Sequence, residues 1–159
     1  MKVIFPGSFD PITNGHIDII LRSLKIFDTV EVLVLNNFNK NTTFSIEERK
    51  DIISKVFINN KKIKVCSYNG LLYDYINKEK VDFIIRGIRN TIDYENEKIN
   101  ASVNREHSNV ETLLMFSDDS KYCVSSSLVK ELYFNGADVS KYVDNIVLDE
   151  LNKKFRRNE

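Results

Sequence analysis

The sequence predicts an α/β fold, a doubly wound sheet of five parallel strands with helices on both faces. Two observations predict it. Short apolar runs typical of buried strands alternate along the whole chain with stretches whose apolar residues recur at helical spacing. Neither an internal repeat nor a linker interrupts this alternation, and 159 residues are the length of one ordinary domain. We therefore expect a single domain over residues 1–159, with right-handed crossovers between its strands.

The first predicted strand covers residues 1–5, and Pro6 and Gly7 are expected to end it. The helix that follows this strand is expected to begin after the N-cap candidate Thr13, because the apolar residues from Ile17 onward recur at helical spacing. The other strands are predicted at 29–35, 63–66, 81–85 and 112–116. The helices are predicted at 15–27, 45–57, 71–78, 93–105, 127–135 and 141–155, the second with Ser45 and Glu48 as a capping box.

The turn between the first strand and its helix predicts an anion site. A helix start offers unpaired backbone N–H groups and the positive end of the helix dipole, both of which suit phosphate oxygens. His16 falls in the first turn of this helix and adds a side-chain donor, while Ser8 adds a hydroxyl group on the approach loop. A lone histidine is more often structural, but the preceding Gly15 and the helix start favour a phosphate contact here.

Sheets of this kind bind ligands beyond the carboxyl ends of their strands. Arg86 and Arg89 follow the fourth predicted strand, and Gly87 between them allows close backbone approach, which favours phosphate binding. Three serines precede the next-to-last helix and offer a second helix start for phosphate. The unusual residues after the five strands therefore gather at one edge of the sheet: Ser8, Lys40, Leu72, Arg86, Arg89 and the run 121–127.

Composition and charge exclude several classes of protein. Lysine plus arginine and aspartate plus glutamate number 23 each, and this zero balance argues against a nucleic-acid groove as the main site. No apolar stretch approaches membrane-spanning length, and no signal peptide precedes the first strand, so we expect a cytoplasmic protein without membrane contacts. The two cysteines provide neither a disulfide framework nor zinc-ligand spacing.

Several motifs together resemble the nucleotidyltransferase superfamily. The run GSFDP followed by TNGH matches its signature, which is threonine or histidine, any residue, glycine and histidine. Within the superfamily the chain resembles the phosphopantetheine adenylyltransferase family. It does so in the FSIEER run at 44–49 shortly after Lys40, the RGIR turn at 86–89 and the triple serine at 125–127. The resemblance spans nearly the whole chain and implies a Rossmann-like nucleotidyltransferase fold.

The resemblance implies an enzyme of coenzyme A biosynthesis. Such an enzyme transfers AMP from ATP to 4′-phosphopantetheine, giving dephospho-coenzyme A and pyrophosphate, in an in-line reaction without a covalent intermediate. It implies Mg²⁺ held mainly by the nucleotide phosphates, and a homohexamer. Two alternatives stay open: a related nucleotidyltransferase with an acceptor such as nicotinamide mononucleotide or glycerol phosphate, and a non-catalytic nucleotide-binding module. Thr13 and the turn at 86–89 favour pantetheine over the first alternative, and His16 with Lys40 argues against the second.

The resemblance also implies roles for individual residues. The expected catalytic residues are His16, Lys40 and Arg89, and no protein side chain is expected to ligate a metal. The acceptor is expected to contact Ser8, Lys40, Leu72 and Arg86. The residues expected to bind ATP are Ser8, Phe9, His16, Gly87, Ile88, Arg89, Glu97, Lys121, Tyr122, Cys123, Val124, Ser125, Ser126 and Ser127. His107 lies in a polar run and is expected to be an exposed loop residue.

Overall fold

The computed structural model describes residues 1–36, 41–117 and 124–155, so that Lys40, Lys121, Tyr122 and Cys123 lie outside the described residues. Five parallel strands form one sheet in the order β3-β2-β1-β4-β5, which confirms the predicted fold class. The strands are β1 (Val3–Gly7), β2 (Val30–Leu35), β3 (Ile63–Tyr68), β4 (Phe83–Ile88) and β5 (Glu111–Phe116). The strand order reverses between β1 and β4, and ligands of such sheets bind beyond this point.

Six helices accompany the sheet in the described part of the chain. They are α1 (Asn14–Ser23), α2 (Ile46–Val56), α3 (Leu72–Glu79), α4 (Thr91–Ser108), α5 (Ser126–Phe134) and α6 (Asn145–Phe155). Thr13 and Ser45 are N-caps as predicted, and Ser45 and Glu48 form the expected capping box. Helix α6 begins at Asn145 rather than at residue 141, and α1 ends at Ser23 rather than at residue 27. No helix among the described residues is both long and apolar enough to cross a membrane.

The two faces of the sheet are buried in two separate apolar clusters. Side chains of β1 and β2 alternate between them, as a doubly covered sheet requires. On one face, Val3, Phe5 and Val32 pack among residues of α1, α2, α5 and α6. On the other face, Ile4 and Leu33 pack with Tyr75 and Ile76 of α3, and α4 lies beside α3 over β4 and β5. The central strands are thereby held rigidly at the point where the strand order reverses.

The prediction that Pro6 and Gly7 end the first strand is wrong. Both residues belong to β1 and lie opposite Leu33 and Val34 of β2. Proline is excluded from strands that are paired on both sides because it lacks an N–H group. The pairing of β1 with β4, however, stops at Ile4 and Ile84, so Pro6 has a strand partner on one side only. Beyond Ile4 the two central strands separate, and this opening makes room for a pocket.

The fourth strand begins and ends later than predicted, at 83–88 rather than at 81–85. Arg86, Gly87 and Ile88 lie inside β4 and are paired with Leu114, Met115 and Phe116 of β5. A prediction based on apolar runs ended the strand at the first charged side chain. The backbone continues the ladder regardless, because pairing with β5 is made by backbone N–H and C=O groups, which a charged side chain does not remove. Arg86 therefore starts from a rigid strand rather than from a loop.

Candidate active site

Two pockets adjoin beyond the carboxyl ends of β1 and β4. The first, of about 240 Å³, lies between the start of α1, the end of β4 and the start of α5. The second, of about 490 Å³, lies between the end of β2, the start of α3 and the side of α4. The walls common to both are formed by Pro6, Gly7, Ser8, Arg86 and Glu97. Two ligands, one in each pocket, would therefore come into contact beside Ser8 and Arg86.

His16 occupies the third position of α1 and lines the first pocket. Its Nδ1 atom lies 3.1 Å from the backbone N of Thr13 and 2.9 Å from the Thr13 hydroxyl oxygen. A backbone N–H group can only donate, so Nδ1 is the acceptor and the ring proton of the neutral imidazole is on Nε2. The imidazole thus closes a capping box in place of the usual glutamate, and it presents an Nε2–H donor to a ligand.

The surroundings of His16 keep its imidazole neutral. Burial lowers its pKa to about 4, and the nearby charges of Arg89 and Arg86 act in the same direction. The ring also contacts the edge of the Phe9 ring, with 5.3 Å between centroids. His16 is therefore a fixed hydrogen-bond donor near neutral pH, whereas the positive charge that the described residues bring to the pocket comes from Arg86 and Arg89.

Close packing of the first turn explains Gly7. A Cβ atom at this position would lie 2.8 Å from Cζ of Phe9, which is closer than van der Waals contact allows. Phe9 is buried and has a φ angle of 46°, a left-handed conformation that is uncommon for a bulky residue. The peptide bond that follows, between Asp10 and Pro11, is cis. This compact turn places Ser8 and Phe9 against His16.

Arg86 and Glu97 form a two-point ion pair in the shared wall of the pockets. Nε of Arg86 donates to Oε2 of Glu97 at 2.8 Å, and Nη2 donates to Oε1. The third contact runs from Nη1 to the carbonyl oxygen of Pro6, where β1 and β4 have separated. Among the described residues these contacts use three of the five guanidinium N–H groups. Two donors are left for a ligand at the junction of the pockets.

Arg89 pairs with Asp93 one helical turn further along the chain. Nε and Nη2 of Arg89 lie 2.8 and 3.2 Å from the two carboxylate oxygens, and the backbone N–H of Arg89 also donates to the carboxylate. The side-chain hydrogen bond from Arg89 is the main cause that lowers the pKa of Asp93, so the carboxylate stays ionised. The backbone N–H of Asp93 in turn donates to the side-chain oxygen of the N-cap residue Asn90 at 2.8 Å. Both arginines of the pocket are thus oriented by acids of α4.

The start of α5 forms the wall opposite His16. Ser125 is the N-cap of this helix, and its hydroxyl oxygen accepts a hydrogen bond from the backbone N–H of Leu128. Ser126 donates a hydrogen bond of 2.8 Å to the carbonyl oxygen of Pro11. This bond ties the start of α5 to the turn before α1. The N-termini of two helices therefore border the same pocket, and each provides partly positive N–H groups for phosphate oxygens.

The lining of the second pocket combines apolar and amide side chains. Leu35, Leu71 and Leu72 contribute apolar groups where β2 ends and α3 begins. Asn100 and Asn104 of α4 and Thr112 of β5 contribute polar groups. The hydroxyl oxygen of Thr112 is buried and has no hydrogen-bond partner among the described residues. Such a lining suits an extended ligand that carries both methylene groups and amides.

Comparison with known proteins identifies the family. A model of the cytidylyltransferase-like family matches residues 4–132. Phosphopantetheine adenylyltransferase of Wigglesworthia glossinidia brevipalpis is 42% identical over 157 residues, which cover 98% of this chain and 94% of the relative. The enzymes of the same name from Bacteroides thetaiotaomicron and Flavobacterium psychrophilum are 40% and 43% identical. Their alignments cover 89% and 92% of this chain and 94% and 97% of the relatives. The chain belongs to the phosphopantetheine adenylyltransferase family.

The structure brings together most of the residues that the family resemblance singled out. The first pocket is lined by the residues Ser8, Phe9, His16, Gly87, Arg89, Glu97, Val124, Ser125, Ser126 and Ser127. The second pocket is lined by Ser8, Leu72 and Arg86. Ile88 differs from the others, because its side chain is buried in the core and lines neither pocket. Lys40, Lys121, Tyr122 and Cys123, which complete the predicted phosphopantetheine adenylyltransferase set, lie outside the described residues.

Sequence reasoning missed two kinds of residue in or beside this site. Asp93, which orients Arg89, could have been found from the four-residue spacing of opposite charges. Asp10 and Arg49 are buried beside the site, and no pattern in the sequence distinguishes them from solvated charges. The exposure predicted for His107 is confirmed, but its predicted place in a loop is wrong, because it lies in the last turn of α4, where its ring stacks on Tyr73.

Proposed function

We propose that this chain transfers AMP from ATP to 4′-phosphopantetheine, giving dephospho-coenzyme A and pyrophosphate. The observation that carries the proposal is the junction of two pockets of different character at Ser8 and Arg86. One pocket has two helix N-termini, His16 and Arg89, as a triphosphate requires. The other combines leucines with amide side chains, as a pantetheine arm requires. The names of the relatives agree with this assignment.

In the proposed reaction an oxygen of the acceptor phosphate attacks the α-phosphorus of ATP. A new P–O bond forms while the bond from the α-phosphorus to the bridging β-oxygen breaks, and pyrophosphate leaves with that electron pair. The acceptor monoester is already ionised near pH 7, so no general base is needed. Catalysis then depends on in-line alignment and on neutralising the charge of the transferring phosphoryl group.

Three residues are proposed to neutralise that charge. His16 is proposed to donate from Nε2–H to a phosphate oxygen, because its Nδ1 already accepts from Thr13. Arg89 is proposed to bind the nucleotide phosphates from the orientation that Asp93 gives it. Lys40 is proposed on the sequence resemblance. In the shared wall, the two remaining donors of Arg86 are proposed to hold the acceptor phosphate.

Mg²⁺ is proposed to enter with the nucleotide, bound by phosphate oxygens and water. The donor set of the pocket supports this assignment, because the two carboxylates that line it among the described residues, on Asp93 and Glu97, are engaged with arginines. No group of three or more metal-ligating side chains is found among the residues that the structure describes. When bound, the ion would compensate phosphate charge in the way usual for nucleotide-bound magnesium.

A cytoplasmic homohexamer is proposed for the assembled enzyme. The support on this chain is a set of exposed apolar side chains on α4 and on the edge strand β5, with Ile92 and Phe116 exposed by 73% and 74%. The two elements are in contact, and exposed apolar surface on neighbouring elements is typical of protein–protein contacts. Light scattering tests the proposal, and a monomer at micromolar concentration would overturn it.

The activity is tested by pyrophosphate release from ATP and Mg²⁺ with and without 4′-phosphopantetheine. We expect release that depends on the acceptor and falls roughly a hundredfold or more in His16→Ala, as for other lost transition-state donors. His107→Ala is the matched control, since this histidine stacks on Tyr73 away from the pockets. Release with nicotinamide mononucleotide or glycerol phosphate instead would assign a different acceptor. Absence of ATP binding would contradict the proposed function.

A further inference from the structure

Arg49 of α2 is the largest of the fully buried side chains in the described structure, with 1% of its surface exposed. No carboxylate among the described residues forms an ion pair with it. Its hydrogen-bond partners are neutral oxygens. Burial lowers the pKa of Arg49, and the charge of the nearby Asp10 carboxylate opposes that shift without forming an ion pair. The guanidinium is therefore held in one position mainly by its hydrogen bonds, and a replacement would leave their acceptors without a donor.

The partners of Arg49 come from three separate segments of the chain. Nη1 donates to the carbonyl oxygens of Ser8, at 2.6 Å, and of Leu35, at 3.0 Å. Nη2 donates to the amide oxygen of Asn36 at 2.6 Å, and Nε donates to the carbonyl oxygens of Phe44 and Ser45. One guanidinium therefore joins the turn after β1, the end of β2 and the start of α2.

Asp10 makes the reciprocal connection. Its buried carboxylate accepts hydrogen bonds from the backbone N–H groups of Thr43 and Phe44, at 2.8 and 2.9 Å. The turn after β1 thus provides the acceptors, and the segment before α2 together with Arg49 provides the donors. In the sequence, Lys40 lies between Asn36, which accepts from Arg49, and Thr43, which donates to Asp10.

These segments form walls of the candidate active site. Ser8 lies where the two pockets meet, and Leu35 and Asn36 line the second pocket. The relative position of the walls decides whether the acceptor oxygen and the α-phosphorus are in line. A displacement of about 1 Å in such a site costs on the order of a hundredfold in rate.

We propose that Arg49 is a positioning residue for the transfer step: its guanidinium sets the turn at Ser8 against the end of β2 and thereby aligns the two substrates. The inference rests on the proposed function, because it assigns the two pockets to two reactants. Arg49 lines neither pocket, so it acts through the backbone of Ser8 and Leu35 and not by contact with either substrate.

The test compares Arg49→Lys with Ile53→Val and Ile53→Ala. Lysine keeps the charge, but its single ammonium group cannot reach all three segments. Ile53 is fully buried in the same helix. Its two variants should lower Tm by a smaller and a larger amount than Arg49→Lys does, so that kcat can be compared at equal loss of stability. We expect kcat of Arg49→Lys to fall on the order of a hundredfold, with the Kd for MgATP changed less than roughly threefold. The Ile53 variants should keep kcat within roughly threefold.

A second variant covers the case in which Arg49→Lys does not fold. Asn36→Leu removes one acceptor of the guanidinium at a partly exposed position. We expect Asn36→Leu by itself to lower kcat by less than the roughly hundredfold loss expected for Arg49→Lys and to speed amide exchange in residues 5–13; unchanged exchange there would overturn the proposal. Where Arg49→Lys folds, the double variant should be no slower than Arg49→Lys alone, since both act through one contact network. Two results would overturn the proposal. One is a loss of kcat in the double variant equal to the product of the two single losses. The other is a kcat of Arg49→Lys equal to that of an Ile53 variant with the same Tm.

Amide hydrogen exchange separates this proposal from the proposed function. In Arg49→Lys, exchange should become faster in peptides that cover residues 5–13 and 30–36, and the Ile53 variants should not reproduce this pattern. Wild-type protein without acceptor-dependent pyrophosphate release would overturn the proposed function. The exchange pattern would still decide whether Arg49 holds the two segments together, and unchanged exchange there would overturn its role.

Discussion

The backbone N–H of Thr13 donates a hydrogen bond to Nδ1 of His16, with 3.1 Å between the two nitrogen atoms. The residue that caps α1 therefore also selects the tautomer of the histidine in the pocket. Protonation of Nδ1 would break this bond and place a third positive charge beside Arg86 and Arg89. The low pKa of His16 and its proposed role as an Nε2–H donor follow from the same contact.

The stability of the protein should depend on pH through His16. Its pKa is about 4 in the folded state, below the ordinary value of 6.5, so the unfolded chain binds more protons between these values. This contribution to stability is complete above pH 6.5 and is lost as pH falls toward 4, with a slope of at most about 1.4 kcal/mol per pH unit. Urea unfolding of wild type and His16→Asn at pH 7, 6 and 5 measures it. Parallel pH dependence in the two proteins would contradict the assignment.

Lys130→Met should destabilise the protein by about 2 kcal/mol, the usual contribution of a hydrogen bond to a charged group. The Lys130 ammonium lies 2.7 Å from Oδ2 of Asp10, whose side chain is only 5% exposed. The variant would leave a buried carboxylate with its two backbone donors alone. Lys153→Met is the matched control, because Lys153 is an exposed lysine paired with Glu150. This variant should change the free energy of unfolding by less than about 0.5 kcal/mol. Equal losses of unfolding free energy in the two variants would show that the Lys130–Asp10 pair stabilises the protein no more than an exposed pair does.

Gly7→Ala should cost about 1–3 kcal/mol, because its Cβ would overlap the Phe9 ring in a packed turn. Phe9→Leu removes the ring atoms concerned, so the cost of Gly7→Ala should be smaller in the Phe9→Leu background. A double-mutant cycle by thermal unfolding measures this coupling. Additive losses would mean that the glycine is required for a reason other than contact with Phe9.

Arg86→Met should raise the KM for 4′-phosphopantetheine by roughly 10- to 100-fold, the effect of losing a charge-assisted hydrogen bond. The KM for ATP should change much less, because Arg89 and the two helix starts remain. Arg105→Met is the matched control, since Arg105 is an exposed arginine of α4 that pairs with Glu111 away from the pockets. Equal increases in both KM values would contradict the assignment of Arg86 to the acceptor.

Local sequence patterns were sufficient to predict the fold and the edge of the sheet that carries the site. The alternation of apolar runs predicted five parallel strands, and the N-caps Thr13 and Ser45 follow from side-chain chemistry within four residues. The clustering of Ser8, His16 and Arg89 around one pocket follows from the rule that carboxyl ends of parallel strands share an edge. Each of these inferences depends on contacts between near neighbours or on topology.

Tertiary structure alone decided the contacts that orient the site. Pro6 belongs to β1 because β4 separates from it, and this separation depends on two strands that are distant in the sequence. The pairing of Arg86 with Glu97 depends on how α4 lies over β4. The burial of Arg49 depends on three segments that converge on it. The sequence by itself determined which elements form and which residues reach the edge of the sheet, because propensity, capping and periodicity act locally. Partners of buried charges are chosen by long-range packing, which no local pattern encodes.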